Sequence, residues 1–198
     1  WHGDQDGRDY GFGLAQGRLT RELSQGLHRR EPAKIGDQNT AQTVLEAQFN
    51  RETAQRLERD GLDHNAISNL AKLLDEQCEA TGTIPSDRDL VVERCRDEGG
   101  DWRIIIHSPY GRRVHEPWAL AITTRIKQRF GFDGQVYAVD DGIVLRLPDG
   151  YGDLPTRELL LFDVDELQRT VETQVGESVL YMARFRECAA RSLFLPRT

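Results

Sequence analysis

The sequence predicts an α+β fold made of N-terminal helices, an antiparallel ββαββ sheet unit and two C-terminal helices. Apolar residues recur at helical spacing through the first 80 residues, β-branched runs replace them after residue 89, and helical spacing returns after residue 163. We therefore expect a helical subdomain over residues 1–82. Residues 83–198 are expected to form an α+β subdomain with a mixed sheet and covering helices.

Three helices are predicted in the N-terminal part. The first runs from Asp9 to about Leu27, the second from Thr40 to Arg59, and the third from Asp63 to about Ala80. A polar stretch with a proline and a glycine, Arg29–Asn39, predicts a loop between the first two. Gly61 is placed as the residue that ends the second helix.

Two hairpins and a helix between them form the predicted sheet unit. The first hairpin pairs Leu90–Arg96 with Trp102–His107. The second pairs Gln135–Val139 with Ile143–Leu147 through an Asp-Asp-Gly turn. A short apolar run, Leu159–Phe162, is a candidate for a further strand.

The intervening helix is expected to begin near His115, with Pro117 in its first turn, where a missing N–H has no cost. Its predicted buried residues are Val114, Trp118, Ile122, Ile126 and Phe130. Two closing helices are predicted at about Val164–Val175 and Ser178–Phe194.

Composition argues against several functional classes. The net charge of −7 does not suit a self-sufficient nucleic-acid binder. Three widely spaced cysteines without a Cys-x-x-Cys pair indicate neither a disulfide framework nor a zinc site and favour a cytoplasmic setting. No apolar run approaches the roughly 20 residues of a membrane span. Because Trp1 stands where an initiator Met is expected, we predict a fragment of a longer protein.

The sequence contains no recognisable catalytic or cofactor-binding motif. The glycines at 11, 13 and 17 lack the spacing and the preceding strand of a dinucleotide loop, and no phosphate loop for ATP occurs. The five histidines lack metal-ligand spacing. Asp140 and Asp141 are better explained as turn residues than as a catalytic pair. We therefore predict no catalytic residue, no metal and no cofactor in this chain.

Charge is distributed unevenly along the sequence. Residues 101–134 contain six basic and three acidic residues, whereas residues 139–177 contain ten carboxylates and three arginines. Two interpretations follow. Either the arginines pair with the acidic segment, or Arg112 and Arg113 in the Pro-Tyr-Gly-Arg-Arg turn contact backbone phosphates.

Two further residues are candidate nucleic-acid contacts. Arg186 falls within an apolar stripe of the last helix, so that, if buried, it requires a carboxylate or a phosphate partner. Trp1, if exposed, can stack on a base. Arg184, Glu187 and Arg191 are expected to form weak ion pairs on another face of the last helix. Trp102 and Trp118 are predicted to be packing residues.

Several long strings resemble the DEAD/H-associated region of bacterial large helicase-related (Lhr-type) helicases. The first string, His-Ser-Pro-Tyr-Gly-Arg-Arg-Val-His-Glu-Pro-Trp-Ala-Leu-Ala, covers residues 107–121. The others are Ser86-Asp-Arg followed by Val-Val-Glu-Arg, Asp141-Gly-Ile-Val-Leu-Arg-Leu-Pro-Asp149, and Ala183-Arg-Phe-Arg-Glu-Cys-Ala-Ala-Arg191. The strings keep their order between about Leu70 and Arg197, while Lys34–Arg59 matches less well.

The resemblance implies a parent protein that is a superfamily 2, ATP-dependent helicase moving 3′ to 5′ on single strands, in repair-related work. ATP and Mg²⁺ would be bound by motor domains outside this chain, and a winged helix would precede it. We expect the chain to form one wall of a single-stranded DNA or RNA channel, with Arg112, Arg113 and His115 on phosphates. The rival interpretation is a scaffold that docks the motor and winged-helix domains without touching nucleic acid.

Overall fold

The computed structural model describes residues 9–30, 46–132, 134–149 and 156–192. In chain order, the elements are α1 (Tyr10–Gly26), β1 (Leu27–Arg30), β2 (Glu46–Phe49), α2 (Arg51–Arg59), α3 (His64–Thr81), β3 (Val91–Arg96), β4 (Trp102–His107), α4 (Arg112–Phe130), β5 (Gln135–Val139), β6 (Gly142–Leu147), α5 (Thr156–Leu160), α6 (Val164–Gln174) and α7 (Val179–Arg191). A single 3₁₀ turn, Val175–Glu177, joins α6 to α7. The predicted α+β class is confirmed.

The chain divides into two compact units. The described residues of one unit lie within 11–91 and 107–109, and those of the other lie within 1–10, 92–106 and 110–198. We call them the helical unit and the sheet unit and describe each by itself. The boundary that we expected at residue 82 remains a prediction.

The helical unit packs its helices around a small core. Leu23 of α1, Phe49 of β2, Leu57 of α2 and Ile67 and Leu74 of α3 are all buried in one cluster. Asn50 and Asp63 begin α2 and α3, because each side chain accepts a hydrogen bond from a backbone N–H three residues later. Apolar residues at helical spacing therefore form the core that the sequence indicates.

The prediction that helices are the only regular elements of the first 80 residues is wrong. Residues 27–30 and 46–49 form an antiparallel two-stranded sheet, with Leu27 opposite Phe49 and Arg30 opposite Glu46. The second helix begins at Arg51 rather than at Thr40. The predicted loop at Arg29–Asn39 overlaps β1 at its first two residues, and its remainder lies outside the described residues.

The sheet unit contains a four-stranded sheet in the order β3-β4-β6-β5. β5 and β6 pair in antiparallel fashion, with Tyr137 opposite Val144. Helix α4 lies against this sheet, and the core between them is fully buried at Ile104 and Ile106 of β4, Ile122 and Ile126 of α4, and Ile143, Leu145 and Leu147 of β6. Burial of so many branched side chains is the main source of this unit's stability.

Two details of the sheet unit differ from expectation. The run Leu159–Phe162 is not a strand, because helix α5 ends at Leu160 and buries Leu159 and Leu160 against the core. Helix α4 begins at Arg112, three residues before the expected start, so Pro117 lies beyond the first turn. The two closing helices are present as α6 and α7.

Candidate nucleic-acid interface

The turn between β4 and α4 depends on glycine. Gly111, the residue before α4, has φ 85° and ψ 163°, a conformation that a residue with a Cβ rarely adopts. It has no side chain with which to cap the helix. The turn therefore positions Arg112 and Arg113 as the first two residues of α4, directly after the buried strand β4.

Asp140 supplies the missing cap from a distance. The backbone N–H of Arg112 donates to Asp140 Oδ1 at 3.0 Å. A carboxylate at this end of a helix is also favoured by the helix dipole. Asp140 is thus a turn residue, as predicted, and in addition holds the start of α4 against the β5–β6 turn. Sequence reasoning missed this second role, although Gly111 signals a helix without a cap of its own.

The side chain of Arg112 is half-exposed and carries an ion pair. Its Nη2 and Nε lie 2.8 and 3.2 Å from Glu116 Oε1, one helical turn away. Exposed pairs of this kind contribute about 0.3–0.5 kcal/mol. A phosphate can therefore replace Glu116 as the partner of Arg112 at little cost.

Arg113 differs from its neighbour. Its side chain is exposed. Among the residues that the structure describes, none forms an ion pair, hydrogen bond or ring contact with it. Of the two predicted phosphate contacts in the turn, Arg113 is the one whose charge is not already balanced by a described neighbour.

The expectation that His115 contacts a phosphate must be corrected. His115 is fully buried. Its Nδ1 lies 2.6 Å from the carbonyl oxygen of Val139. The position of His115 on α4, in phase with the buried Ala119, Ile122 and Ile126, turns the ring towards the sheet. Its imidazole is a packing and hydrogen-bonding group here.

The other arginines of α4 are used inside the sheet unit. Arg125 Nη2 lies 2.6 Å from Glu166 Oε1, and its Nη1 donates to the carbonyl oxygen of Glu158 at 2.7 Å. Arg129 Nη1 lies 2.6 Å from Glu158 Oε2. For these two arginines, the interpretation that they pair with the acidic segment is correct.

Another arginine, Arg146, is paired with carboxylates of the β3–β4 turn. Its Nε lies 2.9 Å from Asp97 Oδ2, and its Nη2 lies 3.1 Å from Asp101 Oδ2. Burial alone would raise the pKa of Asp97. Hydrogen bonds from the backbone N–H groups of Asp101 and Gly99, together with the charges of Arg146 and Arg103, have the larger effect, so the net pKa is lowered. Asp97 is therefore a charged anchor of the turn.

Arg186 is exposed on α7, and none of the described residues forms an ion pair with it. Because Arg186 is exposed, it does not need the carboxylate or phosphate partner that a buried position would have required. The predicted ion pairs of Glu187 are present, at 3.1 Å to Arg184 and 2.5 Å to Arg191. Trp1 lies outside the described residues.

The other two tryptophans pack against the core of the sheet unit, as predicted. Trp118 Nε1 donates to the carbonyl oxygen of Leu160 at 2.9 Å. The ring of Trp102 lies under the guanidinium of Arg96, with 3.8 Å from the Arg96 Cζ to the ring centroid. Neither ring is therefore an open stacking platform.

A cleft of about 540 Å³ runs beside β5 within the sheet unit. Its lining is mostly apolar and comes from α4, β5 and the α6–α7 connection, including Leu120, Val136, Val171 and Val175. The charged residues in the lining are Arg112 and Glu116, which pair with each other. Because its charges are balanced, this cleft does not suit a polyanion.

In the described ranges, no group of three or more histidine, cysteine or acidic residues is arranged to hold a metal ion. No helix in that part of the chain combines the length and apolar character of a membrane span. Cys78, Cys95 and Cys188 are free thiols.

Fold and side chains together define an α+β module with exposed arginines at the start of α4 and on α7, among other places. Residues 84–198 match the DEAD/H associated family, which is more than half of the chain. The chain belongs to that family.

Similar proteins agree with this assignment. The chain is 57% identical over 134 residues to the Lhr helicase/uracil glycosylase of Escherichia coli K12. The matched stretch covers 68% of this chain and 9% of that protein. It is 46% identical over 197 residues to the Lhr helicase/probable uracil glycosylase of Mycolicibacterium smegmatis, covering 100% of the chain and 12% of the relative. The chain thus spans about a tenth of the length of these relatives. The resemblance to Lhr-type helicases is confirmed.

A solved structure extends the similarity to three dimensions. The structure of Mycobacterium smegmatis helicase Lhr bound to ssDNA and AMP-PNP matches with a TM-score of 0.77 and 44% sequence identity. The match covers 100% of this chain and 22% of that chain. The whole of the present fold therefore corresponds to a segment of a larger helicase.

Proposed function

We propose that this chain is the accessory region of an ATP-dependent 3′-to-5′ helicase and forms one wall of its single-stranded DNA or RNA channel. The observation that carries the proposal is the match of the entire chain to a helicase solved with ssDNA. Motor domains elsewhere in the parent protein bind ATP and Mg²⁺ and move the strand. A winged helix adjoins this wall.

The start of α4 provides the phosphate contact. Arg113 is the primary group because it is exposed and its charge is not balanced by a described residue. Arg112 contributes by exchanging Glu116 for a phosphate. Trp1 is proposed to stack on a base near the point of strand separation.

The charge of −7 fits a wall rather than an autonomous binder. A polyanion is repelled by the acidic segment and is held where arginines outnumber carboxylates. The wall therefore guides the strand, and the motor domains contribute the remaining affinity. Repair-related work in the cytoplasm is part of the same proposal.

A scaffold remains the second candidate, and a specific observation favours it. Arg125 and Arg129 are bound by Glu158 and Glu166. If all arginines of α4 serve such internal contacts, the module docks the motor and winged-helix domains and never meets the strand. Arg113 contacts a phosphate if the chain is a channel wall, and it contacts no nucleic acid if the chain is a scaffold.

The test is a fluorescence-anisotropy titration of a labelled 20-nucleotide oligo(dT) with the 198-residue chain at several salt concentrations. Arg113→Ala is compared with Arg129→Ala, which removes an equally charged residue from the same helix. Each phosphate contact on a single strand contributes about 0.7 to the slope of log K against log salt.

The channel wall predicts that Arg113→Ala weakens binding and lowers that slope by about 0.7, whereas Arg129→Ala leaves both unchanged. Equal effects of the two variants would show a non-specific loss of charge. Absence of binding at low salt would support the scaffold instead.

A further inference from the structure

Helix α7 displays an aromatic pair to solvent. Tyr181 and Phe185, one helical turn apart, stack with ring centroids 6.0 Å apart and an interplanar angle of 22°. Their exposed fractions are 43% and 57%. Large aromatic side chains are normally buried because of their apolar area, so an exposed stacked pair calls for a partner with flat apolar surfaces.

Arginines flank this pair on both sides. Successive residues of an α-helix are rotated by about 100°, so Arg184 and Arg186 project on either side of Phe185. Three arginines and one glutamate make α7 net positive by two charges. Arg184 and Arg191 share Glu187, and Arg186 has no carboxylate partner among the described residues.

The segment before α7 has the opposite character. Helix α6 and the following 3₁₀ turn carry the carboxylates Asp165, Glu166, Glu172 and Glu177 against the single cation Arg169. A polyanion that approaches these closing helices is therefore repelled by α6 and attracted by α7. Charge complementarity restricts it to one helix.

From this arrangement, we propose that α7 is a second binding site for single-stranded nucleic acid, at which bases stack on Tyr181 and Phe185 while Arg184 and Arg186 hold the adjacent phosphates. The proposal rests on the proposed function, because it concerns the same strand, but it places a contact on a helix separate from the turn that presents Arg113. Stacking and backbone charge contact together are the usual way in which proteins hold a single strand irrespective of its sequence.

The chemistry of α7 favours this ligand over an apolar protein surface. An apolar partner would bury Arg184 and Arg186 next to the aromatic rings, and an unpaired buried charge is strongly unfavourable. A nucleic-acid strand supplies both an apolar face and an anion for each nucleotide. It thus satisfies the rings and the guanidiniums together.

The test uses the 198-residue chain and two labelled 20-nucleotide probes, oligo(dT) and an abasic strand with the same number of phosphates. Phe185→Leu keeps the apolar volume but removes the aromatic face. Arg186→Gln removes one charge. Met182→Ala is the matched control, because Met182 is 60% exposed on the same helix and is not aromatic.

We expect Phe185→Leu to weaken oligo(dT) binding about 5- to 100-fold and to leave abasic binding unchanged. Arg186→Gln should weaken both probes, and Met182→Ala neither. Circular dichroism of each variant checks that the fold is retained. If Phe185→Leu binds oligo(dT) like the wild type, or if Met182→Ala has an equal effect, the assignment of α7 is overturned.

The proposed function and this inference fail in different ways. Sensitivity to Arg113→Ala without sensitivity to the α7 variants retains the channel wall and removes the α7 site. The reverse pattern retains α7 and removes the contact at the start of α4. If neither probe binds the wild-type chain at low salt, both are overturned.

Discussion

Helices α4 and α7 of the sheet unit are built from the same kinds of residue but use them differently. In α4, Ile122 and Ile126 are completely buried, and Arg125 and Arg129 are bound to carboxylates. In α7, Tyr181, Met182 and Phe185 are exposed, and Arg186 lacks a carboxylate partner among the described residues. An arginine count therefore says little about binding until the internal partners are known.

The contrast also separates stability from function. The apolar face of α4 stabilises the sheet unit, whereas the large side chains Tyr181, Met182 and Phe185 of α7 are exposed. Arg113 is the arginine of α4 that resembles Arg186 of α7, because each is exposed and neither has a carboxylate partner among the described residues. Substitutions in the two helices should consequently differ in their effect on the free energy of unfolding.

A substitution in the core of α4 should destabilise the protein most. Ile126→Ala should lower the free energy of unfolding by about 2–5 kcal/mol, because it leaves a cavity among residues that cannot close it. Met182→Ala on α7 should change it by less than about 0.5 kcal/mol. Urea denaturation followed by circular dichroism measures both. Similar losses in the two variants would show that α7 is also packed.

A partly buried ion pair between Arg21 and Asp87 in the helical unit extends the comparison to pH. Arg21 donates two hydrogen bonds to Asp87, at 2.7 and 3.2 Å, and these bonds lower the pKa of that carboxyl below its usual range. The stabilisation is therefore complete above the unfolded pKa of about 3.9 and is lost as pH falls through the lower folded pKa.

Asp87→Asn should accordingly be less stable than the wild type at pH 7, and the difference should shrink below about pH 4. Urea midpoints of both proteins between pH 7 and pH 2.5 provide the comparison. A difference that stays constant with pH would mean that the charge of Asp87 is not what stabilises the helical unit.

The cap of α4 should have an intermediate effect. Asp140→Ala removes the acceptor of the Arg112 N–H, and the expected loss is about 1 kcal/mol in the free energy of unfolding. Asp140→Asn, which retains an acceptor oxygen, should recover most of that loss. An unchanged midpoint in the alanine variant would contradict the capping role.

The smallest effect is expected for an exposed ion pair. Arg129→Ala should cost less than about 1 kcal/mol, since both Arg129 and Glu158 are largely open to solvent. The loss should decrease further in 1 M salt. A larger, salt-independent loss would show that Arg129 stabilises the fold through packing.

Sequence patterns predicted the elements whose signals are local. Strands β4 and β5 and helix α3 lie within a residue or two of the expected bounds, because β-branched runs and helical spacing specify them directly. Strands β1 and β2 were missed because Leu27-His-Arg-Arg and Glu46-Ala-Gln-Phe contain no β-branched residue. Their pairing joins segments that are distant in the sequence.

The candidate site was only partly predictable for a similar reason. The Arg112-Arg113 turn follows from a local motif. The roles of its neighbours depend on contacts across the fold, since Glu116, Asp140 and Val139 determine which groups remain available. The phase of α4 offered one missed signal: His115, Ala119, Ile122 and Ile126 have the spacing of a single buried face.

The most direct test of nucleic-acid contact by α4 and α7 is photo-crosslinking of the 198-residue chain to a single strand containing 4-thiothymidine, followed by mass spectrometry of the crosslinked peptides. We expect crosslinks in residues 110–118 and 179–191 and none in α6. Crosslinks confined to other surfaces, or none at a concentration at which the strand binds, would contradict a nucleic-acid contact at either position.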